Sequence, residues 1–315
     1  KSQSKRTGTQ NMEDWMKPFE NCTLCPRKCG ESRIAGRTGA CHVDAQMRVA
    51  RAALHFWEEP CISGKEGSGA VFFAGCTLGC VFCQNTEISR GQAGENVSVE
   101  RLAEIYLNLQ EQGANNINLV TAGHYAPSVA ESLRRAKDMG LQIPVVYNSS
   151  GYELPDTLRL LDGLVDIYLP DMKYMDRELA GKYSHAQNYP DVAKEALAEM
   201  VRQCPVCEFD ERGMMKKGVI VRHLLLPGHV KDSKAVLKYL HETYQDQIYI
   251  SIMSQYTPMP QMITYPELNR RVTKREYSRL LDYAMVLGIE NGFFQEGDPG
   301  GVTFIPAFNG EGVRQ

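Results

Sequence analysis

From Gly67 to about Gly297, short apolar runs alternate with longer amphipathic segments, and this alternation restricts the fold more than any other feature of the chain. "AVFFAG" (70–75), "NINLVTAG" (116–123), "IPVVYNSSG" (143–151), "LVDIYLPD" (164–171), "GVIVRHLLLPG" (218–228) and "QIYISIMSQ" (247–255) are strand-like. Between them lie helical patterns with start and stop signals. One runs from Ser98 as N-cap to Gly113, another ends at Gly140, and others cover 154–163, about 175–203, 231–244 and 273–288. Six β–α units in series predict a parallel sheet with helices outside it. The strands are continuous apolar runs, which suits burial on both faces. Six units fit an open doubly wound sheet or an incomplete barrel, and in both the functional groups gather at the C-terminal ends of the strands.

Directly after the first of these strands stands "GCTLGCVFCQN", with Cys76, Cys80 and Cys83 in a C-x3-C-x2-C pattern. Three thiolates leave one position open on a four-iron cube, and an open metal position is where a substrate or cofactor can bind. The chain has 315 residues, ten cysteines, 43% hydrophobic and 23% charged residues. That is ample for a real core, so clustered cysteines point to metal or redox chemistry and not to the disulfides of small secreted domains. The net charge of −3 argues against a nucleic-acid-binding surface over the whole molecule. No window is long and apolar enough to cross a membrane, and residues 1–15 lack the apolar core of a secretory signal, so a cytoplasmic location is expected.

These residues resemble the radical S-adenosylmethionine superfamily, whose motif is C-x3-C-x-Φ-C with an aromatic residue at Φ; Phe82 stands there. The resemblance implies that Cys76, Cys80 and Cys83 hold a [4Fe–4S] cluster whose open iron is chelated by S-adenosylmethionine. One-electron cleavage then gives a 5′-deoxyadenosyl radical that takes a hydrogen atom from the substrate. From about residue 70 to 260 the chain is similar to the activating enzymes of glycyl-radical enzymes, the pyruvate formate-lyase activating-enzyme-like subgroup. That implies a partial (β/α)6 TIM-like barrel over residues 66–297, with a cysteine-rich module at 1–65 and a tail at 298–315.

Asp171 and Lys173 match that subgroup's D-x-K near the methionyl part of the cofactor, and Arg222, Pro227 and Gly228 match its R-x-x-x-P-G run. Where the family has Gly-Gly-Glu, this chain reads "TAGH": Gly123 survives and His124 takes the glutamate's place, after Thr121. Asn148 and Ser149 stand where the activating enzymes have Asp and Thr, and Gln255 where they have a histidine. The resemblance thus implies cofactor contacts from Phe82, Thr121, Gly123, His124, Asn148, Ser149, Asp171, Lys173 and Gln255. It implies catalytic roles for Asp171, Lys173, Arg222 and His229. A groove lined by Asp171, Lys173, Arg222, His229 and Gln255 is expected to admit a protein substrate.

Cys22, Cys25, Cys29 and Cys41 form a C-x2-C-x3-C-x11-C set suited to a closed site, zinc or a second iron–sulfur cluster. Cys61 reads as a buried small hydrophobe. Cys204 and Cys207 read as an incidental or solvent-facing thiol pair, and His223 as a structural strand-end histidine. The expected partners are a glycyl-radical enzyme as substrate and a flavodoxin- or ferredoxin-type reductant. The alternatives are radical modification of another protein, peptide or small molecule, or a non-catalytic iron–sulfur electron carrier or redox sensor.

Overall fold

The computed structural model describes residues 13–294 and 306–314. The expectations for residues 1–12, 295–305 and 315 lie outside them. The strands are β1 (Arg48–His55), β2 (Ser68–Phe73), β3 (Glu95–Asn96), β4 (Ile117–Val120), β5 (Val145–Ser149), β6 (Ile167–Pro170), β7 (Glu208–Phe209), β8 (Met215–Leu224), β9 (Tyr249–Met253) and β10 (Gly292–Phe294). The helices are α1 (Pro60–Ser63), α2 (Thr86–Ser89), α3 (Val99–Glu111), α4 (Ala126–Asp138), α5 (Pro155–Arg159), α6 (Arg177–Ser184), α7 (Tyr189–Gln203), α8 (Val230–Tyr244) and α9 (Lys274–Leu287).

The sheet order is β10-β9-β8-β6-β5-β4-β2-β1-β3, with β7 beside β8. β2, β4, β5, β6, β8, β9 and β10 run parallel, while β1 is antiparallel to β2 and β3 to β1. The fold is therefore α/β with a mostly parallel sheet, of the kind that forms a partial TIM-like barrel. The six expected β–α units are present, and β10 adds a short seventh parallel strand. Residues 48–63, expected in a separate N-terminal module, take part in the barrel itself, because β1 hydrogen-bonds along the whole of β2.

Local chemistry sets the elements. The Ser98 hydroxyl accepts from the Arg101 amide at the start of α3, and Thr273 and Glu276 form a reciprocal capping box at the start of α9. Along the parallel strands, alternate residues face opposite sides. Val145, Tyr147, Tyr168, Val219 and Val221 join the large core under the helices. Val146, Ile167, Leu169, Met215 and Ile220 face the barrel interior and pack on Cys61 and Ile62 of α1. α1 thus plugs the end of the barrel opposite the C-terminal strand ends. The same parity carries Asn148, Asp171, Arg222 and Ser251 into the interior above that plug.

The tail returns along β1. The Ala52 amide donates to the Glu311 carbonyl at 2.9 Å and the Gly310 amide to the Ala50 carbonyl at 3.0 Å. Phe308 packs edge-on against Phe72.

Candidate active site

The loop after β2 is fixed before any ligand arrives. Gly75 has φ +93°, and a Cβ there would lie 2.8 Å from the Cys41 carbonyl oxygen and 2.9 Å from His124 Nε2, so only glycine fits. The Cys76 amide donates to the Cys41 carbonyl at 3.3 Å. Arg27 reaches across from the N-terminal segment and donates to the carbonyls of Thr77, Leu78, Ser184 and His185 at 2.6–3.1 Å. It ties the cysteine loop to the C-terminal end of α6, where carbonyls attract a cation.

Cys76, Cys80 and Cys83 then line one wall of a cavity of about 750 Å³ at the C-terminal ends of the strands. Burial pushes the Cys80 thiol up to about 12, opposed by the nearby Lys173 ammonium and by the Ser184 hydroxyl, which donates to its sulfur at 3.1 Å. Burial also raises Cys83. Among the described residues, no three His, Cys, Asp or Glu side chains are gathered as for a single metal ion. A cube spreads its thiolates wider than one ion does, and three cysteines facing one cavity, with a hydroxyl and an ammonium beside them, are a donor set and outer shell that suit it.

Opposite stands a network of charges. Lys173 Nζ donates to Asp171 Oδ2 at 2.6 Å, and Arg222 Nε donates to Asp171 Oδ1 at 3.1 Å. Arg222 also donates from Nη1 to Glu58 Oε2 at 3.1 Å and from Nη2 to Asn148 Oδ1 at 2.7 Å. Glu58 Oε1 accepts from Asn118 and Asn148 at 3.0 and 3.2 Å. Burial pushes the Asp171 carboxyl up, but Lys173 and Arg222 outweigh it and hold it below the usual range. Burial lowers Lys173, and Asp171 and Cys80 outweigh that, keeping it charged. Breaking such a buried network by deleting one partner costs about 3–5 kcal/mol.

The site brings together most of the residues read from the sequence. Phe82, Thr121, Asn148, Ser149, Asp171, Lys173, Arg222 and Gln255 all line the cavity. Thr121, a β-branched residue, sits at φ +60°, a strained conformation at the end of β4. Three expectations are placed elsewhere. His229 does not line the groove; it lies before α8 with Nε2 3.0 Å from the Tyr183 hydroxyl. His124 is buried with Nε2 2.8 Å from the Ala74 carbonyl, and burial lowers its imidazole to about 3, so it is neutral and outside the cavity lining. Gly123 is likewise absent from the lining and sits against the buried Glu153 carboxyl.

The second cysteine set surrounds Arg33. Cys22, Cys25 and Cys41 are buried and Cys29 is exposed. A Cβ on Gly39 would lie 3.1 Å from Cys29 Sγ and 3.6 Å from Cys41 Sγ, so those two thiols share one glycine. Cys204 and Cys207 are not a solvent-facing pair: Cys204 is buried with its sulfur 3.3 Å from the Asp166 carbonyl, and Cys207 packs at the edge of the interior cluster.

Glu58 and Glu59 escaped the sequence reading. They sit between β1 and α1, in "WEEP". The available signal was the pair of asparagines at 116 and 118, polar side chains two apart on an apolar strand, which mark an interior face that needs polar partners.

A family model described as the radical SAM superfamily matches residues 70–209. An uncharacterized protein of Methanocaldococcus jannaschii is 29% identical over 274 residues, which are 84% of this chain and 75% of that protein. Among solved structures, methylornithine synthase (PylB) matches with a TM-score of 0.49 at 14% identity, over 70% of this chain and 60% of that one. Streptococcus suis SuiB bound to the precursor peptide SuiA matches with a TM-score of 0.47 at 10% identity, over 70% and 46%. This chain therefore spans about half to three-fifths of the length of those two structures.

Proposed function

We propose that this chain is a radical SAM enzyme that cleaves S-adenosylmethionine reductively and removes a hydrogen atom from a substrate seated in the cavity of about 750 Å³. The supporting observation is the placement of Cys76, Cys80 and Cys83 on one wall of that cavity, facing Asp171, Lys173 and Arg222. Cys76, Cys80 and Cys83 would hold a four-iron cluster, which with S-adenosylmethionine supplies one-electron sulfonium cleavage and hydrogen-atom abstraction. Asp171 and Lys173 present a paired carboxylate and ammonium to the amino and carboxylate groups of the cofactor. Arg222 holds Asp171 in place and keeps it ionised. The apolar wall of Phe72, Phe82, Leu224 and Tyr256 limits water at the reacting centre.

Our first reading of the substrate is a glycine in a partner glycyl-radical enzyme. The second is another protein, peptide or small molecule. It is favoured by the depth of the cavity, which reaches the plug residues Glu59 and Pro60, farther than a glycine requires. The reductant is an acidic carrier of the flavodoxin or ferredoxin type. Arg27, His42, Arg90 and His185 line a recess of about 420 Å³ together with Cys76 and Cys80. Cys22, Cys25, Cys29 and Cys41 are the candidate ligands of a second iron–sulfur cluster; among the described residues no three of them are gathered as a zinc ion would need.

The test is an anaerobic, reconstituted and dithionite-reduced sample assayed for 5′-deoxyadenosine. Product is expected, and its absence overturns the reading. Paramagnetic resonance on mixtures with candidate glycyl-radical proteins then decides the first substrate reading: cofactor cleavage without a glycyl signal from any of them moves the assignment to the second.

A further inference from the structure

The cavity wall carries a carboxyl group, Glu59, that no described residue meets in an ion pair. The carboxylates lining the cavity are Glu58, Glu59 and Asp171, and the lysine and arginine are Lys173 and Arg222. Asp171, Lys173, Arg222 and Glu58 are all joined in the ion pairs described above. Glu59 forms no ion pair among the described residues. It is only 8% exposed, and its Oε2 has no hydrogen-bond partner. Burial and the neighbouring Glu58 both disfavour its charged form, opposed by Arg222 and the Ser251 hydroxyl. A buried, unpartnered carboxyl oxygen costs about 1–3 kcal/mol or more, so a fold that keeps one on a cavity wall has a use for it.

The surroundings indicate what it takes. Trp57, His55, Phe293 and Phe294 line the same cavity, Trp57 and Phe294 with exposed faces. Aromatic faces beside a carboxylate suit an organic cation, attracted by the charge and by the ring quadrupoles. Burial lowers His55 to about 4, so it adds no competing positive charge near neutral pH. Glu59 is fixed from below, because Pro60, Cys61 and Ile62 follow it directly into the buried α1 plug.

We propose that Glu59 and the aromatic residues lining the same cavity form a subsite for a cationic group of the substrate, an alkylammonium or alkylguanidinium. The proposal rests on the cavity being the active site of a radical SAM enzyme, and its test reads binding separately from turnover. n-Butylammonium, n-butylguanidinium and neutral n-butanol are titrated calorimetrically into the iron–sulfur-loaded full chain with S-adenosylmethionine present. Both cations are expected to bind about tenfold tighter than the alcohol, since a desolvated charge pair is worth at least that. Glu59→Gln should remove the difference and change S-adenosylmethionine affinity less than about twofold.

Equal binding of cations and alcohol to the wild-type chain overturns the proposal without recourse to any variant. So does a cation preference that survives in Glu59→Gln. A tenfold loss of S-adenosylmethionine affinity in that variant also overturns it, by assigning Glu59 to the cofactor. Failure of the wild-type chain to form 5′-deoxyadenosine rejects the reaction and leaves the binding result standing.

Discussion

Arg33 offers the sharpest test of how the N-terminal segment is held. The side chain is 1% exposed and pairs with no carboxylate among the described residues. Its guanidinium donates to three carbonyls: Val43 at 3.2 Å, His124 at 2.6 Å and Asp44 at 2.7 Å. Nη1 also lies 3.6 Å from Cys22 Sγ, and the group is sandwiched between the Phe19 and Tyr125 rings at 5.0 and 5.4 Å. Three charged hydrogen bonds at ~1.5 kcal/mol each give ~4–5 kcal/mol, which Arg33→Met forfeits; the His124 and Asp44 carbonyls lose this donor, while the Val43 carbonyl keeps the Gly39 amide at 3.3 Å. Relief from burying a cation offsets part of this, so a net loss of ~3 kcal/mol is expected. Anaerobic urea denaturation followed by circular dichroism measures it. Arg33→Lys keeps the charge but cannot span three carbonyls, and should fall between the two. A loss below ~1 kcal/mol for Arg33→Met would refute the view that this guanidinium fastens the cysteine segment to the loop after β4.

Replacing Cys76, Cys80 and Cys83 together by alanine should keep the circular dichroism spectrum and remove about four irons per chain; unchanged iron content rejects the assignment. Burial lowers His223 to about 4 against the pull of the Met172 carbonyl, so between its ordinary value and that one the unfolded chain binds a proton that the folded chain does not. Stability should therefore fall as pH drops through about 6.5 towards 4, with ~3 kcal/mol at stake for this group. Denaturation at several pH values should show His223→Gln losing that share while those of His55 and His124 remain. Arg90→Glu should slow reduction by a flavodoxin or ferredoxin about tenfold at low salt and leave dithionite reduction unchanged; equal slowing with both reductants refutes the docking reading. Arg27→Ala forfeits four charged hydrogen bonds to carbonyls, so it should lower the melting temperature by several degrees and also speed iron loss on gel filtration, because it frees the Thr77–Leu78 carbonyls of the cysteine loop.

The barrel was legible because its signals are local. Ser98 and Thr273 cap their helices through their own hydroxyls, and the strands between are apolar throughout, so period and punctuation agree. That Cys76, Cys80 and Cys83 face one cavity was legible for the same reason, since the three lie within eight residues. What stayed hidden depends on partners distant in sequence. β1 is held by pairing with β2, and Glu58 has a role only once Arg222, 164 residues away, turns inward. His229 ends the same apolar run as Arg222, but the chain leaves β8 at Leu224 and turns through Pro227 and Gly228, which carries the imidazole to Tyr183. Motif position placed it at the rim; the turn moved it off.

Both ends of the described chain converge on β2 and its loop, and this bears on how the site works. From the N-terminal side come the Cys41 carbonyl, which accepts from the Cys76 amide, and Arg27, which pins Thr77 and Leu78. From the C-terminal side come Phe308 on Phe72, and Pro306 in the cavity lining. The two contacts differ in kind. The N-terminal ones are hydrogen bonds to the backbone that carries the cysteines, so they set where the thiols stand. The C-terminal ones are packing contacts at the cavity wall, and Arg51 with Glu311 adds a half-exposed ion pair of little worth. A change in the second cysteine set is therefore transmitted to Cys76 through its own amide. A change in the tail alters what covers the cavity and leaves the cysteine geometry intact. Reductive chemistry near a four-iron cluster is sensitive to hydrogen bonds and exposure at its ligands, so under the proposed function the N-terminal segment would act on the reactivity of the centre and the tail on access to it.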